Sequence, residues 1–249
     1  MMVHPVPKVQ FAQPRDPAST DVDPHPTPPN VCAMDHKQVQ LLLEPDGFGL
    51  TDGAIRLYRL MPEDIPAATV ACSDPQAKAM LAHWVNLSAK KAEDRRIALR
   101  NALMGPWAYS RESFGVWRQG RLIGVRFVEP RGTDWHCGGW IHHAWRGAGI
   151  GRTALTLALH HVARNRGGTM IATGTRNDNV AAQANLKACG FSHAGPLHGI
   201  AREGCRQPTE GMQEWSRDLH DLIELGPIPV SATAWPLRRD RQYASWHKH

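Results

Sequence analysis

The sequence predicts an α+β fold, a mixed α/β domain over about residues 54–222 with a mostly antiparallel central sheet flanked by helices. Three observations predict it. The apolar pattern switches period along the chain, from helical spacing to strand-like runs and back. A strand-like run, "TDWHCGGWIHHA", feeds into the turn "RGAGIG" at residues 146–151, and a helical apolar run follows. One short strand later, "DNVAAQANLKACG" reads as a second helix.

Taken in order, residues 1–30 are rich in proline and poor in periodic apolar residues. Such a segment buries too little surface to offset its ordering entropy, so residues 1–35 are expected to be disordered and the domain to occupy 36–222. "VQLLLE" and "AIRLYRL" read as strands separated by the turn-rich "PDGFGLTDG". Pro62, Glu63 and Asp64 give a helix start, because proline fits a first turn and acids suit its positive dipole end. Asp74–Pro75 marks a break and a second start. A polar helix, "SAKKAEDRRIALRNAL", follows, with Ile97, Leu99 and Leu103 as its apolar face and "KKAEDRR" as a solvated one.

"ESFGVWRQGRLIGVRFVEP" reads as two strands joined by a Gln119–Gly120 hairpin turn. Residues 149–165 read as a helix, with Ile150, Ala154, Leu157, Ala158 and Val162 near helical spacing. "TMIATGT" is a buried-type strand. The helix after it takes Asp178 as N-cap and Gly190 as its C′ residue. "FSHAGPL" and "GMQEWSRDL" close the sheet, and residues 223–249 are read as a basic tail.

Composition narrows the function. No segment approaches the roughly 18 consecutive apolar residues of a membrane helix. The first residues carry no apolar core of a secretory signal, so a cytoplasmic location is expected. Five cysteines, an odd number with no CxxC pair, and scattered histidines indicate neither a disulfide framework nor a metal site. A net charge of +6 suits an anionic ligand. No helix-turn-helix, RNP or C2H2 pattern accompanies the basic stretch at 236–249, so nucleic acid is not the expected partner.

The anionic ligand has an evident seat. Gly147, Gly149 and Gly151 free the backbone so that successive N–H groups converge, and the first turn of a helix leaves its N–H groups without internal partners. Arg146 adds a cation beside that nest. The pattern is not a Walker A loop, since GxxxxGK[ST] is missing. It is not a Rossmann turn either, because it follows several strands late in the chain rather than the first strand of a parallel sheet. A glycine-rich turn that binds nothing is the remaining alternative.

The two stretches together resemble the GCN5-related N-acetyltransferases. R/Q-x-x-G-x-G/A opening a helix is matched by Arg146, Gly149 and Gly151, and N-x-x-A/S in a helix ending in G-F by Asn179, Ala182, Gly190 and Phe191. "RLYRLMPEDIPAATVACSDPQ" and "GGWIHHAWRGAGIG" are similar to stretches of the subgroup that acetylates ribosomal-protein N-termini. The resemblance covers about residues 54–220. It implies an acyl-CoA N-acyltransferase-like splayed sheet and acetyl-CoA as co-substrate. Backbone N–H groups of Gly147, Ala148, Gly149, Ile150, Gly151 and Arg152 would hold the pyrophosphate, beside Arg146. The backbone at Ile141 would pair with the pantetheine arm, and Asn179 would face it. The partners implied are acetyl-CoA and an amine acceptor, a protein N-terminus or a small molecule, with the chain a monomer or homodimer.

The catalytic residues depart from the family pattern. The tyrosine acid expected seven residues after Asn179 is Leu186, beside Asn185, and Tyr58, Tyr109 and Tyr243 lie far away in sequence. A strand position that often carries a glutamate base holds His136, and histidine is a side chain suited to proton transfer, so it is the candidate base. Asp134 and Glu112 are weaker candidates. Trp135, Trp140 and Trp145 are read as core or strand-surface aromatics and Cys189 as structural. The departures also leave open a second class of function, a coenzyme A-binding sensor or interaction protein without efficient turnover.

Overall fold

The computed structural model describes residues 39–44, 47–81, 85, 89, 91–105, 110–197 and 211–230. These lie within one compact unit, Ala33–His249. The segment 1–35 expected to be disordered and the basic stretch 236–249 fall outside the described residues. The strands are β1 (Gln40–Glu44), β2 (Gly47–Thr51), β3 (Arg56–Arg59), β4 (Glu112–Arg118), β5 (Arg121–Arg131), β6 (Asp134–Ile141), β7 (Met170–Arg176), β8 (Ser192–Pro196) and β9 (Met212–Asp218). The helices are α1 (Ile65–Ala71), α2 (Pro75–Leu81), α3 (Ala92–Met104), α4 (Ile150–His160), α5 (Val180–Ala188) and α6 (His220–Ile223).

The strands form one sheet in the order β1-β2-β3-β4-β5-β6-β7-β9-β8. Every pairing is antiparallel except β6 with β7. That parallel pairing is confined to Trp135 opposite Ile171 and His136 opposite Ala172, although β6 runs on to Ile141 and β7 to Arg176. The two strands therefore part company after two residue pairs, and the sheet opens as a V. The Thr173 hydroxyl donates to the Cys137 carbonyl at 2.7 Å, just inside the apex.

Strand alternation divides the core into two layers. Ile123, Val128 and Cys137 face α4, whose Ala154, Leu155 and Leu157 are buried. Leu122, Val125, Phe127 and Trp140 face the other way, with α1 and the buried Leu99 and Leu103 of α3. Gly138 and Gly139 let β6 lie between the layers. A Cβ on Gly138 would strike the Phe127 ring, and one on Gly139, at φ +147°, would strike the Val125 carbonyl.

Several local readings hold. The hairpin turn has positive φ at both Gln119 and Gly120. Asp74 caps α2, accepting the Ala77 N–H at 2.9 Å, with Pro75 as its first residue. Gly190, at φ +78°, follows α5.

Others are corrected. "PDGFGLTDG" is not only a turn, because Gly47–Thr51 forms β2; Gly49 is there because the Tyr58 ring opposite leaves no room for a Cβ. Ile97 is 49% exposed, since it sits two residues from Leu99 and so on the other side of α3. The N-cap of α5 is Asn179, whose side chain accepts the Ala182 N–H at 3.2 Å, while Asp178 pairs with Arg176. Past residue 222 the chain stays on the sheet domain: α6 runs through Ile223, Ile228 is buried, and Leu41 donates to the Pro229 carbonyl. Among the described residues no helix is long and apolar enough to cross a membrane.

Candidate active site

The V between β6 and β7 opens into a cavity of about 870 Å3 that runs from the N-terminus of α4 to the α2–α3 side of the sheet. Its walls are backbone at one end and side chains at the other.

The backbone end follows from strand geometry. Cys137 turns its carbonyl toward β7, so by alternation residues 139 and 141 present their backbone groups on the same side, where β7 has already diverged. An extended chain laid in the V can pair there. The strand then passes through residues 142–148 into α4. Gly147 and Gly149 have φ of +82° and +75°, the left-handed region that favours glycine. Gly149 is the N-cap, and its carbonyl accepts from the Arg152 and Thr153 N–H groups at 2.9 and 3.1 Å. The N–H groups of Gly149, Ile150 and Gly151 thus precede the first helical bond and are available to an anion at the positive end of the helix. The Ile150 side chain is buried and anchors this turn in the core.

Arg126, on β5, reinforces the seat from behind. Its Nη2 donates to the Gly151 carbonyl at 2.9 Å, and its buried Nε has no hydrogen-bond partner among the described residues. Burial pushes the guanidinium below its ordinary range, with the Cys137 and Cys189 thiols among its surroundings and no carboxylate to offset the charge. A buried, unpaired cation is expensive unless the site receives an anion. The free N–H groups, the glycine cradle and Arg126 therefore all fit a polyphosphate. Burial also drives Cys137 up to about 12 and raises Cys189, so both thiols are poor nucleophiles at neutral pH.

The side-chain end is built around Glu129, which is fully buried. Arg111 reaches it from the start of β4, with Nη2 at 2.6 Å and Nε at 2.7 Å from Oε2. Its Nη1 donates to the Ala102 carbonyl at the end of α3, and the guanidinium lies 4.5 Å over the Phe127 ring. Arg131 binds the other oxygen, with Nη2 at 2.7 Å and Nε at 3.0 Å from Oε1. Burial acts to raise the Glu129 carboxyl, but the Arg111 charge and the Arg131 contacts hold it below the usual carboxylate range. His136 stands opposite Glu129 across the β5–β6 ladder, its Nδ1 3.8 Å from Oε1. That is ion-pair range but longer than a hydrogen bond.

Of the residues singled out in the sequence, the structure brings His136, Ile141, Arg146, Gly147, Gly149, Gly151, Arg152 and Asn179 to the walls of this one cavity. Arg146 is placed differently from a cation aimed at the nest. Its Nε donates to the Ile141 carbonyl at 2.8 Å, and its Nη atoms reach Asp74 at 3.0 Å and Gln76 at 2.5 Å. It ties the end of β6 to the start of α2. Asn179 uses its carbonyl oxygen as a helix cap. Leu186 is buried on the wall, and Asn185 Nδ2 lies 3.8 Å from where a Gly151 Cβ would be. Glu112, a weaker candidate base, is bound instead to His161 at 3.1 Å and Arg166 at 2.7 Å; against the raising effect of burial, these hold its carboxyl near about 2. Asp134 is exposed at the β5–β6 hairpin, where Thr133 is its hydrogen-bond partner.

The sequence reading missed Arg111, Arg126, Glu129 and Arg131. One signal was present: "RFVEPR" puts charges inside a strand that otherwise reads as buried, and buried charges occur where they are paired or used. Among the described residues no cluster of three or more histidine, cysteine or acidic groups could hold a metal ion.

Comparison with known proteins follows the same lines. The family model of the acetyltransferase (GNAT) domain matches residues 55–192. No curated protein sequence matches the chain. The ribosomal alpha-N-protein acetyltransferase RimL, in complex with coenzyme A, has a TM-score of 0.53 and 18% identity over 67% of this chain and 95% of its own. The spermidine N-acetyltransferase from Vibrio cholerae, bound to coenzyme A and spermine, has a TM-score of 0.54 and 16% identity over 68% and 98%. The aminoglycoside acetyltransferase AAC(6')-Ib, with ribostamycin and coenzyme A, has a TM-score of 0.55 and 12% identity over 69% and 96%. At these identities the likeness is one of fold.

Proposed function

The chain belongs to the GNAT acetyltransferase family, with acetyl-CoA as its co-substrate, and from that premise we propose that it acetylates a primary amine by direct attack, the donor held by the backbone end of the V and the acceptor presented from the side-chain end. The observation that carries this reading is the V itself. It sets a helix N-terminus with three free N–H groups, an unpaired β6 edge and a histidine beside a buried carboxylate along one continuous cavity.

Each element has a task. The N–H groups of Gly149, Ile150 and Gly151 take the pyrophosphate, with Arg126 supplying positive charge behind them. Residues 139 and 141 pair with the amide-bearing arm of the donor as an added strand would. A backbone N–H of that edge lies along the path of the thioester and can receive the oxyanion that develops on attack. His136 accepts the proton that the ammonium must lose before its lone pair can attack, directly or through one water. Glu129 is too firmly held by its two arginines to serve as that base; it keeps a negative charge beside the ring and favours the imidazolium that forms. Leu186 offers no proton to the departing thiolate, so solvent in the open V does so, and Asn185 can donate a hydrogen bond nearby.

The experiment is thiol release from acetyl-CoA against an amine panel, with binding of acetyl-CoA measured separately. His136→Ala should lower kcat by about 10²- to 10⁴-fold, the usual worth of a positioned base, and leave acetyl-CoA affinity unchanged. An unaltered pH–rate profile in that variant would remove His136 from the mechanism. Tight acetyl-CoA binding without thiol release for any amine would favour the sensor reading.

A further inference from the structure

We propose that the acceptor amine carries a carboxylate a few bonds from its nitrogen, and that Arg131 receives that carboxylate. The proposal rests on the acetyltransferase reading above and adds the acceptor's chemical class.

Charge carries it. Among the described residues lining the cavity there is no aspartate or glutamate, whereas Arg111, Arg126, Arg131, Arg146, Arg152 and Arg176 all contribute. Arg146 is balanced by Asp74 and Arg176 by Asp178. Arg126 and Arg152 lie at the donor seat, where the polyphosphate belongs. Among the described residues of the acceptor end the one carboxylate, Glu129, is shared by two guanidinium groups. Those described groups carry a surplus of one positive charge, with the histidine counted neutral.

The surplus can be located. Arg111 is only 5% exposed, and its donors are engaged by Glu129 and the Ala102 carbonyl. Arg131 is 27% exposed and gives only Nε and Nη2, both to Glu129 Oε1. Arg131 lines the cavity, and its Nη1 has no protein acceptor among the described residues. Glu129 cannot turn to a cationic ligand, since both its oxygens are already taken. Arg131 Nη2 and His136 Nδ1 both lie on Oε1, at 2.7 and 3.8 Å, so they are at most 6.5 Å apart. A compact amino-carboxylate can span that gap, with its nitrogen toward His136 and its oxygens on the planar guanidinium edge. The lining also includes the apolar Leu81, Val85, Ala98 and Phe127, which suit an uncharged remainder. Polycationic amines meet like charge here and, among the described lining residues, no carboxylate, which is a repulsive element against them.

The test measures thiol release from acetyl-CoA with phenylalanine, phenylalaninamide, a short peptide with an acidic N-terminus, spermidine and an aminoglycoside. Binding of each amine to the coenzyme A-loaded protein is measured by calorimetry. An amine with a nearby carboxylate, free or within the peptide, should exceed phenylalaninamide and both polycations by at least tenfold in kcat/KM; which carboxylate-bearing amine wins identifies its source. Arg131→Gln should erase the preference for acid over amide mainly through KM, Arg131→Lys should restore part of it, and acetyl-CoA affinity should stay unchanged in both. Equal or better use of the amide or the polycations overturns the proposal. If no amine releases thiol, carboxylate-dependent binding that Arg131→Gln abolishes still supports the acceptor class and sinks the acetyl-transfer reading; absence of such binding overturns the proposal as well.

Discussion

The two ends of the cavity are built by opposite means. The proposed donor end is mostly main chain: a bent strand, two left-handed glycines and the first turn of α4, all between residues 138 and 152. The acceptor end is side chains gathered from β4, β5 and β6, closed by the C-terminal end of α3. A polyphosphate is recognised by N–H groups that every residue carries, so that end needs only the right backbone path. An acceptor is recognised by particular charges, and these must be assembled from distant positions.

The comparison can be broken from either side. Removing the hub of the acceptor end should have the largest effect. Glu129→Ala leaves Arg111 as a buried cation without its partner, and losing one member of such a pair costs about 3–5 kcal/mol. Urea or thermal unfolding checks this, and a loss below about 1 kcal/mol would mean that the cluster is not a structural hub.

Acid should loosen the anchor of the donor helix. Glu112 ties β4 to the C-terminal end of α4 through His161 and Arg166, with its carboxyl near about 2 against an ordinary 4.5. A folded value below the unfolded one gives stability that is complete above the unfolded value and is lost as pH falls toward the folded one. Stability should therefore drop between about pH 5 and pH 2, by on the order of 3 kcal/mol from this group, and Glu112→Gln should flatten that drop.

Gly149→Val tests the backbone path directly. The cost is conformational: a β-branched residue at φ +75° is strained by about 1–3 kcal/mol. Relaxing that strain misaims the free N–H groups, and acetyl-CoA affinity should fall about tenfold to a hundredfold. Arg126→Met keeps the volume and removes the charge; a drop of about tenfold in acetyl-CoA affinity is expected, near the lower end of a charge-assisted hydrogen bond. If Arg126→Met weakens the acceptor's KM and not acetyl-CoA binding, the division between the two ends is drawn in the wrong place.

The turn that opens α4 was legible because its signals are local. Glycines at 147 and 149 adopt positive φ, Gly190 follows the end of α5, and all lie within a short stretch of chain. The misreadings came where a neighbour decides. The N-cap passed from Asp178 to Asn179 because Arg176 holds the aspartate at 2.8 Å. Gly49 belonged to a strand because Tyr58 packs against it from β3. Arg146 reads in the sequence as a cation beside the nest, and what the sequence does not show is that Asp74, seventy-two residues earlier, also holds its guanidinium.

The sequence by itself determined most of the elements, the glycine-built turn that opens α4 and the family to which the chain belongs. These depend on periodicity, on dihedral preference and on motifs a few residues long. Only the tertiary structure decided where the sheet splays and which charges meet within the V. Arg111 and Glu129 are eighteen residues apart, and nothing in their spacing couples them. They become a pair because β4 and β5 lie side by side and burial leaves each the other's best partner.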